Sequence, residues 1–129
     1  MPGKFLLDTN VVVALLAGEP GIEARLGVDL PLFLSPIVVG ELLYGAAASG
    51  RPESNTARID ALAAGVTVLR IDEGTARCYG GIKADLKRRG RPIPENDVWI
   101  AASALQHDLV LVSRDRHFDE VAGLEVQIW

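Results

Sequence analysis

Four acidic residues stand where their neighbours make them conspicuous. Asp8 and Asp115 follow short apolar runs, Glu41 interrupts an apolar helical segment, and Asp97 lies at the start of another. Carboxylate oxygens are the ligands that hard divalent cations take, so a gathered set of four suits Mg²⁺ or Mn²⁺ rather than zinc or copper. Bound ions of this kind activate water and neutralise charge on phosphoryl oxygens, which is the chemistry of phosphodiester hydrolysis. Each acid also has an ordinary structural role open to it. Aspartate is common in strand-to-helix turns, a glutamate can snorkel at the rim of a core, and an acid in a helix's first turn complements the dipole. Gathered in one pocket the four would repel one another without a cation, and that separates the two readings.

The elements that must position these acids follow from the pattern. Phe5-Leu6-Leu7 reads as a buried strand, and Asn10 as the N-cap of a helix over Val11 to Ala17. Leu109 to Val112 is a continuous apolar run, as expected for a strand covered on both faces, with Ser113-Arg114-Asp115 at its carboxyl end. Ligands of open α/β sheets bind outside the carboxyl ends of the strands, so Asp8 and Asp115 should project into one crevice. Ser35-Pro36 opens a helix over Ile37 to Ser49 that stops at Gly50. Ile37, Glu41, Tyr44 and Ala48 share one stripe of it, which puts Glu41 where an apolar residue is expected.

Between these lie a breaker cluster at Gly18 to Gly21, a short helix at most over Gly21 to Leu26, and a strand at Leu32 to Leu34. A helix over Glu53 to Ala64 and a strand over Val66 to Ile71 follow. Asp72 caps a helix that runs to about Arg89 through Gly80 and Gly81. Arg91 to Pro94 is extended, and the next helix begins at Glu95-Asn96-Asp97. The chain closes with a loop, His117-Phe118-Asp119, and a strand over Glu125 to Ile128. Strands alternating with helices predict an α/β fold, a mostly parallel sheet covered by helices on both faces.

At 129 residues, about half of them hydrophobic, the chain is expected to form one domain over 1–129 with a well-filled core. A single cysteine, Cys78, and two histidines exclude an internal disulfide and a Cys/His zinc site, so a cytoplasmic setting is the default. No apolar run approaches the roughly 18 residues that span a bilayer, and no membrane partner is expected. The net charge of −4 argues at first against a nucleic-acid partner. The four acids alone account for −4, however, and bound cations would offset them. Lys87, Arg88, Arg89, Arg91, Arg114 and Arg116 then remain to meet phosphates, or to form a solvated basic face and complement a helix dipole.

Four segments in order carry a resemblance over nearly the whole chain: Leu7 to Asn10, Val39 to Gly45, Asn96 to Ala102, and Leu111 to Phe118. They resemble the PIN-domain ribonucleases and, within them, the VapC-like toxins of bacterial toxin–antitoxin pairs. The resemblance implies a PIN-like α/β/α sandwich and a Mg²⁺- or Mn²⁺-dependent endoribonuclease acting on RNA. It implies that Asp8, Glu41, Asp97 and Asp115 are the metal-binding and catalytic acids, with Thr9 and Ser113 as supporting hydroxyls. Threonine is the more familiar residue at position 113. Either Asp8 or Asp97 would orient or deprotonate the attacking water. The implied partners are a second copy of the chain and a small VapB-type antitoxin. The antitoxin's tail would cover the crevice with an Arg or Lys, and Pro36 to Ala48 is the expected surface for both partners. Two other readings stand beside this one. A phosphatase with an aspartate nucleophile partly matches Asp8-Thr9-Asn10, but Asn10 occupies the place of its acid/base carboxylate. A non-catalytic PIN-like interaction module would not need all four acids.

Overall fold

The computed structural model describes residues 3–26 and 31–129. Five strands form one sheet: β1 (Phe5–Leu7), β2 (Leu32–Leu34), β3 (Thr67–Val68), β4 (Val110–Val112) and β5 (Val126–Gln127). Six helices accompany them: α1 (Thr9–Leu16), α2 (Pro20–Leu26), α3 (Pro36–Ala47), α4 (Pro52–Gly65), α5 (Glu73–Arg88) and α6 (Glu95–Gln106). A 3-10 helix, Arg116–Glu120, stands where a loop is expected at His117.

The strand order is β3-β2-β1-β4-β5, and every pairing is parallel. From β1 the chain builds outward through β2 to β3, then returns to β1's other side for β4 and β5. The direction of winding therefore reverses between β1 and β4, whose register pairs Leu6 with Leu111 and Leu7 with Val112. Crossovers on either side of such a point diverge to opposite faces and leave a crevice at the strands' carboxyl ends. Asp8 follows β1 and Ser113 follows β4, so the topology itself places them together.

The two central strands are buried throughout, as their unbroken apolar runs require, and the edge strands β3 and β5 are more exposed. Around them one core gathers Leu6, Leu7, Val11, Leu34, Ile100, Leu111 and Phe118, all nearly inaccessible. Each contributes about 1.5–3 kcal/mol by leaving water.

Four expectations need correction. The N-cap of α1 is Asp8, whose side chain accepts the Thr9 N–H at 2.8 Å; Asn10 lies inside the helix. The stripe of α3 that enters the core is Val38, Leu42 and Ala46, so Glu41 and Ile37 flank it half-buried and Tyr44 is exposed. The strand expected over Val66 to Ile71 shrinks to Thr67–Val68, because its partner β2 offers only three residues to pair with. The last strand shortens likewise to Val126–Gln127.

Candidate active site and metal centre

Ser35 caps α3 by accepting the Ile37 N–H at 3.1 Å, and Pro36 at the first helical position fixes the entry of the chain. This start sets Glu41, a turn and a half further on, beside the amino end of α1. The Thr9 hydroxyl donates to Glu41 Oε1 at 2.7 Å, and Asn96 at the head of α6 donates to Oε2 at 3.4 Å. Asp97 follows in the first turn of α6.

The tip of β4 supplies the other wall. Ser113, fully buried, donates its hydroxyl to Asp8 Oδ2 at 2.7 Å and accepts the Asp115 N–H at 2.9 Å. Asp115 caps the 3-10 helix by accepting the His117 N–H at 3.0 Å. The His117 imidazole in turn reaches both remaining acids: Nδ1 lies 3.1 Å from Asp97 Oδ2 and 2.9 Å from Asp115 Oδ1.

The acids are graded by depth. Asp8 is 5% exposed at the floor, the Asp97 side chain 15%, and those of Asp115 and His117 34% and 49% at the rim. Burial, foremost, raises the Asp8 carboxyl above its ordinary range against the Ser113 and Thr9 hydrogen bonds, and the charges of Glu41 and Asp115 add to the rise. Asp97 is raised mainly by burial too, opposed by its His117 hydrogen bond and increased by the charges of Asp8 and Asp115. These mutual influences put all four acids in one electrostatic neighbourhood. Ligand atoms of Asp97, Asp115 and His117 all lie within 4.8 Å of one another, close enough to share a cation. Asp8 and Glu41 stand around that trio rather than in it.

Residues 5–124 match the PIN domain family. The chain belongs to the PIN domain family. It is 38% identical to Ribonuclease VapC2 of Haemophilus influenzae, with 98% of each chain covered. It is 34% identical to the tRNA(fMet)-specific endonuclease VapC of Shigella flexneri, again over 98% of each. The solved VapBC-1 of nontypeable Haemophilus influenzae superposes with a TM-score of 0.87 at 35% identity over 97% of each chain. DNA-bound VapBC of Salmonella typhimurium does so with 0.89 at 33% identity over 98% of each. The chain is a PIN-domain nuclease of the VapC kind.

Two of the grooves beside the acids of this PIN domain differ in their lining. One, of about 450 Å³, starts at Thr9 and Glu41 and runs over the apolar residues Val13, Leu16, Leu42 and Ile59 between α1, α3 and α4. The other, of about 360 Å³, is bounded by Arg91, Ile93, Arg116 and His117.

The basic residues divide accordingly. Arg116 and Arg91 border the groove at His117, although Arg91 also stands 3.7 Å from Glu120. Arg88 and Arg89 are paired with Asp85, and Arg89 also reaches Glu120. Lys87 borders a different hollow with Leu86 and Ile93. The Arg114 guanidinium is held by Glu19 and by the Trp129 carbonyl, so of the six it is the least available to a ligand.

Nothing in the hydrophobic pattern of the sequence marks His117 as part of the site. A lone histidine in a polar segment has no periodicity to mark it. The usable signal was its place two residues after Asp115, where an aspartate that caps its own turn fixes the residue two ahead.

Proposed function

We propose that this crevice cuts RNA by divalent-metal-dependent hydrolysis of phosphodiester bonds, with Mg²⁺ or Mn²⁺ held by Asp97 and Asp115 and by Asp8 and Glu41 around them. The observation that carries the proposal is the convergence of Asp97 and Asp115 above the buried Asp8 at the reversal of strand order. The donor set fits such an ion, being rich in carboxylate oxygen and graded from a fixed floor to an open rim. When bound, the ion lowers the pKa of its water and neutralises charge on the phosphoryl oxygens.

The chain's own residues divide the remaining work. Asp8 has one oxygen engaged by Thr9 N–H and the other by Ser113, so it is a rigid anchor rather than a mobile proton carrier. Thr9 steers Glu41. Asp97 is less enclosed, and burial together with its acidic neighbours raises its proton affinity, so it is the residue assigned to orient the attacking water and accept its proton. Arg91 and Arg116 guide the RNA backbone along the groove at His117.

A phosphatase reading is disfavoured by Asn10, whose side chain accepts the Arg114 N–H at 3.2 Å and so is tied into the scaffold. Mere interaction without catalysis gives no reason for the Ser113 and Thr9 hydroxyls to orient the acids.

The groove between α1, α3 and α4 is the place for the antitoxin. An apolar segment of a VapB-type protein would lie over Val13, Leu16, Leu42 and Ile59, with a terminal Arg or Lys meeting Glu41. A homodimer in the cytoplasm completes the reading, and no helix among the described residues is long and apolar enough to cross a membrane. The test is release of acid-soluble fragments from structured RNAs with Mg²⁺ or Mn²⁺, compared with hydrolysis of a small phosphate ester. Cleavage that EDTA abolishes supports the proposal. Hydrolysis of the ester alone, or no reaction with millimolar metal, rejects it.

A further inference from the structure

The four acids leave one group of the crevice without a role, and that group is the His117 imidazole. Its position is held from three sides. Asp115 accepts its backbone N–H at 3.0 Å, Ser113 holds the Asp115 backbone at 2.9 Å, and the next residue, Phe118, is fully buried in the core. The ring nitrogen Nδ1 thereby stands between two carboxylates, 3.1 Å from Asp97 Oδ2 and 2.9 Å from Asp115 Oδ1.

A nitrogen with a single proton can serve one acceptor well, and here two carboxylates approach it almost equally. The same spacing has a second meaning. Two ligands at adjacent corners of an octahedron, each about 2.1 Å from the ion, are about 3.0 Å apart. Both His117 contacts have this length, and the three ligand atoms lie within 4.8 Å of one another.

Carboxylates alone suit Mg²⁺, Ca²⁺ and Mn²⁺ without much distinction, whereas imidazole nitrogen suits the transition ions. Mg²⁺ keeps to oxygen ligands and retains its water reluctantly exchanged, so a nitrogen in its place costs it more than it costs Mn²⁺. We infer that His117 Nδ1 is itself a ligand of the ion held by Asp97 and Asp115, and that this nitrogen selects Mn²⁺ or another divalent transition ion over Mg²⁺. The neutral imidazole then carries its proton on Nε2. This inference rests on the metal-dependent reading of the crevice above and adds to it the identity of a donor atom.

The chain has two histidines, which makes the inference testable by spectroscopy. The other, His107, is exposed at the carboxyl end of α6 and serves as an internal control. Mn²⁺ is added to the full-length, metal-free protein, and the bound ion is examined by electron spin-echo modulation with natural-abundance and ¹⁵N-histidine protein. The expected result is modulation from a directly coordinated nitrogen that changes with the isotope, disappears in His117→Ala and persists in His107→Ala. Calorimetric titration of the same proteins with each ion should show the Mn²⁺-over-Mg²⁺ preference falling about tenfold or more in His117→Ala. Bound Mn²⁺ with oxygen ligands only, or a nitrogen signal that survives His117→Ala, overturns the inference and leaves the metal reading standing. Absence of any bound Mn²⁺ at millimolar concentration overturns both. Spectra of His107→Ala with and without ¹⁵N-histidine, in which His117 is the remaining histidine, decide the matter even if His117→Ala folds poorly.

Discussion

The Ser113 hydroxyl bridges Asp8 and Asp115, donating to a carboxylate oxygen of the first at 2.7 Å and accepting the backbone N–H of the second at 2.9 Å. It is fully buried, and so nearly is Asp8, which means that no water is at hand to replace either bond. Ser113→Ala should therefore lower stability by about 1–3 kcal/mol, the cost of leaving buried polar groups unmet. Because the same hydroxyl fixes the floor of the crevice to its rim, RNA cleavage should fall by more than the loss of folded protein explains. Urea unfolding and cleavage measured on one preparation separate the two effects, and an unchanged activity per folded molecule would remove Ser113 from the site.

Metal binding should be visible as stability. An ion that binds only the folded state raises its free energy of unfolding by RT ln(1 + [L]/Kd), about 2.7 kcal/mol at a hundredfold excess over Kd. Mn²⁺ should raise the melting midpoint of the wild type relative to EDTA, and raise those of Asp97→Asn and Asp115→Asn less. Those two acids share the ligand cluster, whereas Asp8→Asn and Glu41→Gln alter its surroundings. Equal shifts in all five proteins are the result that dissolves the four acids into unrelated residues.

Much of this site was legible because its parts are strongly constrained locally. Leu6-Leu7 and Leu111-Val112 could hardly be anything but buried strands, and whatever follows each must emerge at the sheet's carboxyl edge. The helix start at Ser35-Pro36 was equally plain. The cap of α1 was not, since Asp8, Thr9 and Asn10 are all cap-competent, and only the extended backbone of Asp8 after the last strand residue selects it. Glu41 shares the apparent core stripe of α3 in the sequence because a rotation of only about 60–100° separates it from Val38 and Leu42, and an apolar helix leaves its orientation ambiguous. The reversal of strand order and the approach of His117 to Asp97 depend on contacts far apart in the chain. No local pattern reports them.

The antitoxin groove predicts a way to separate inhibition from catalysis. Gly45 lines it from the last turn of α3, and a Cβ added there meets nothing within 4 Å. Gly45→Lys should leave the fold intact or stabilise it by up to about 1 kcal/mol, since glycine is the poorer helix residue. The new side chain would occupy the groove. RNA cleavage should persist while inhibition by the cognate antitoxin weakens, as read by titrating that antitoxin into the cleavage assay. Undiminished inhibition would move the docking surface elsewhere.

Asp97 offers the sharpest test of crowding, because its folded-state pKa is raised, chiefly by burial, with the charges of Asp8 and Asp115 adding to it. A carboxyl raised in this way contributes stability fully below its unfolded pKa, near 3.8, and loses that contribution as pH rises through the folded value. At neutral pH without metal, wild-type protein thus carries an ionised Asp97 in an unfavourable place. Asp97→Asn removes that charge, so in EDTA it should be as stable as the wild type or more so at neutral pH, while cleaving no RNA. Its relative advantage should shrink as the pH falls through the folded pKa of Asp97, because the wild type then gains a proton that the amide cannot take. The loss of the His117 hydrogen bond to the carboxylate works against the variant, and its size limits the gain. Urea unfolding of both proteins across that pH window gives the difference directly, with all other titrations common to the pair. If Asp97 served only the dipole of α6, the amide would instead cost about 0.3–1 kcal/mol at neutral pH and leave cleavage intact.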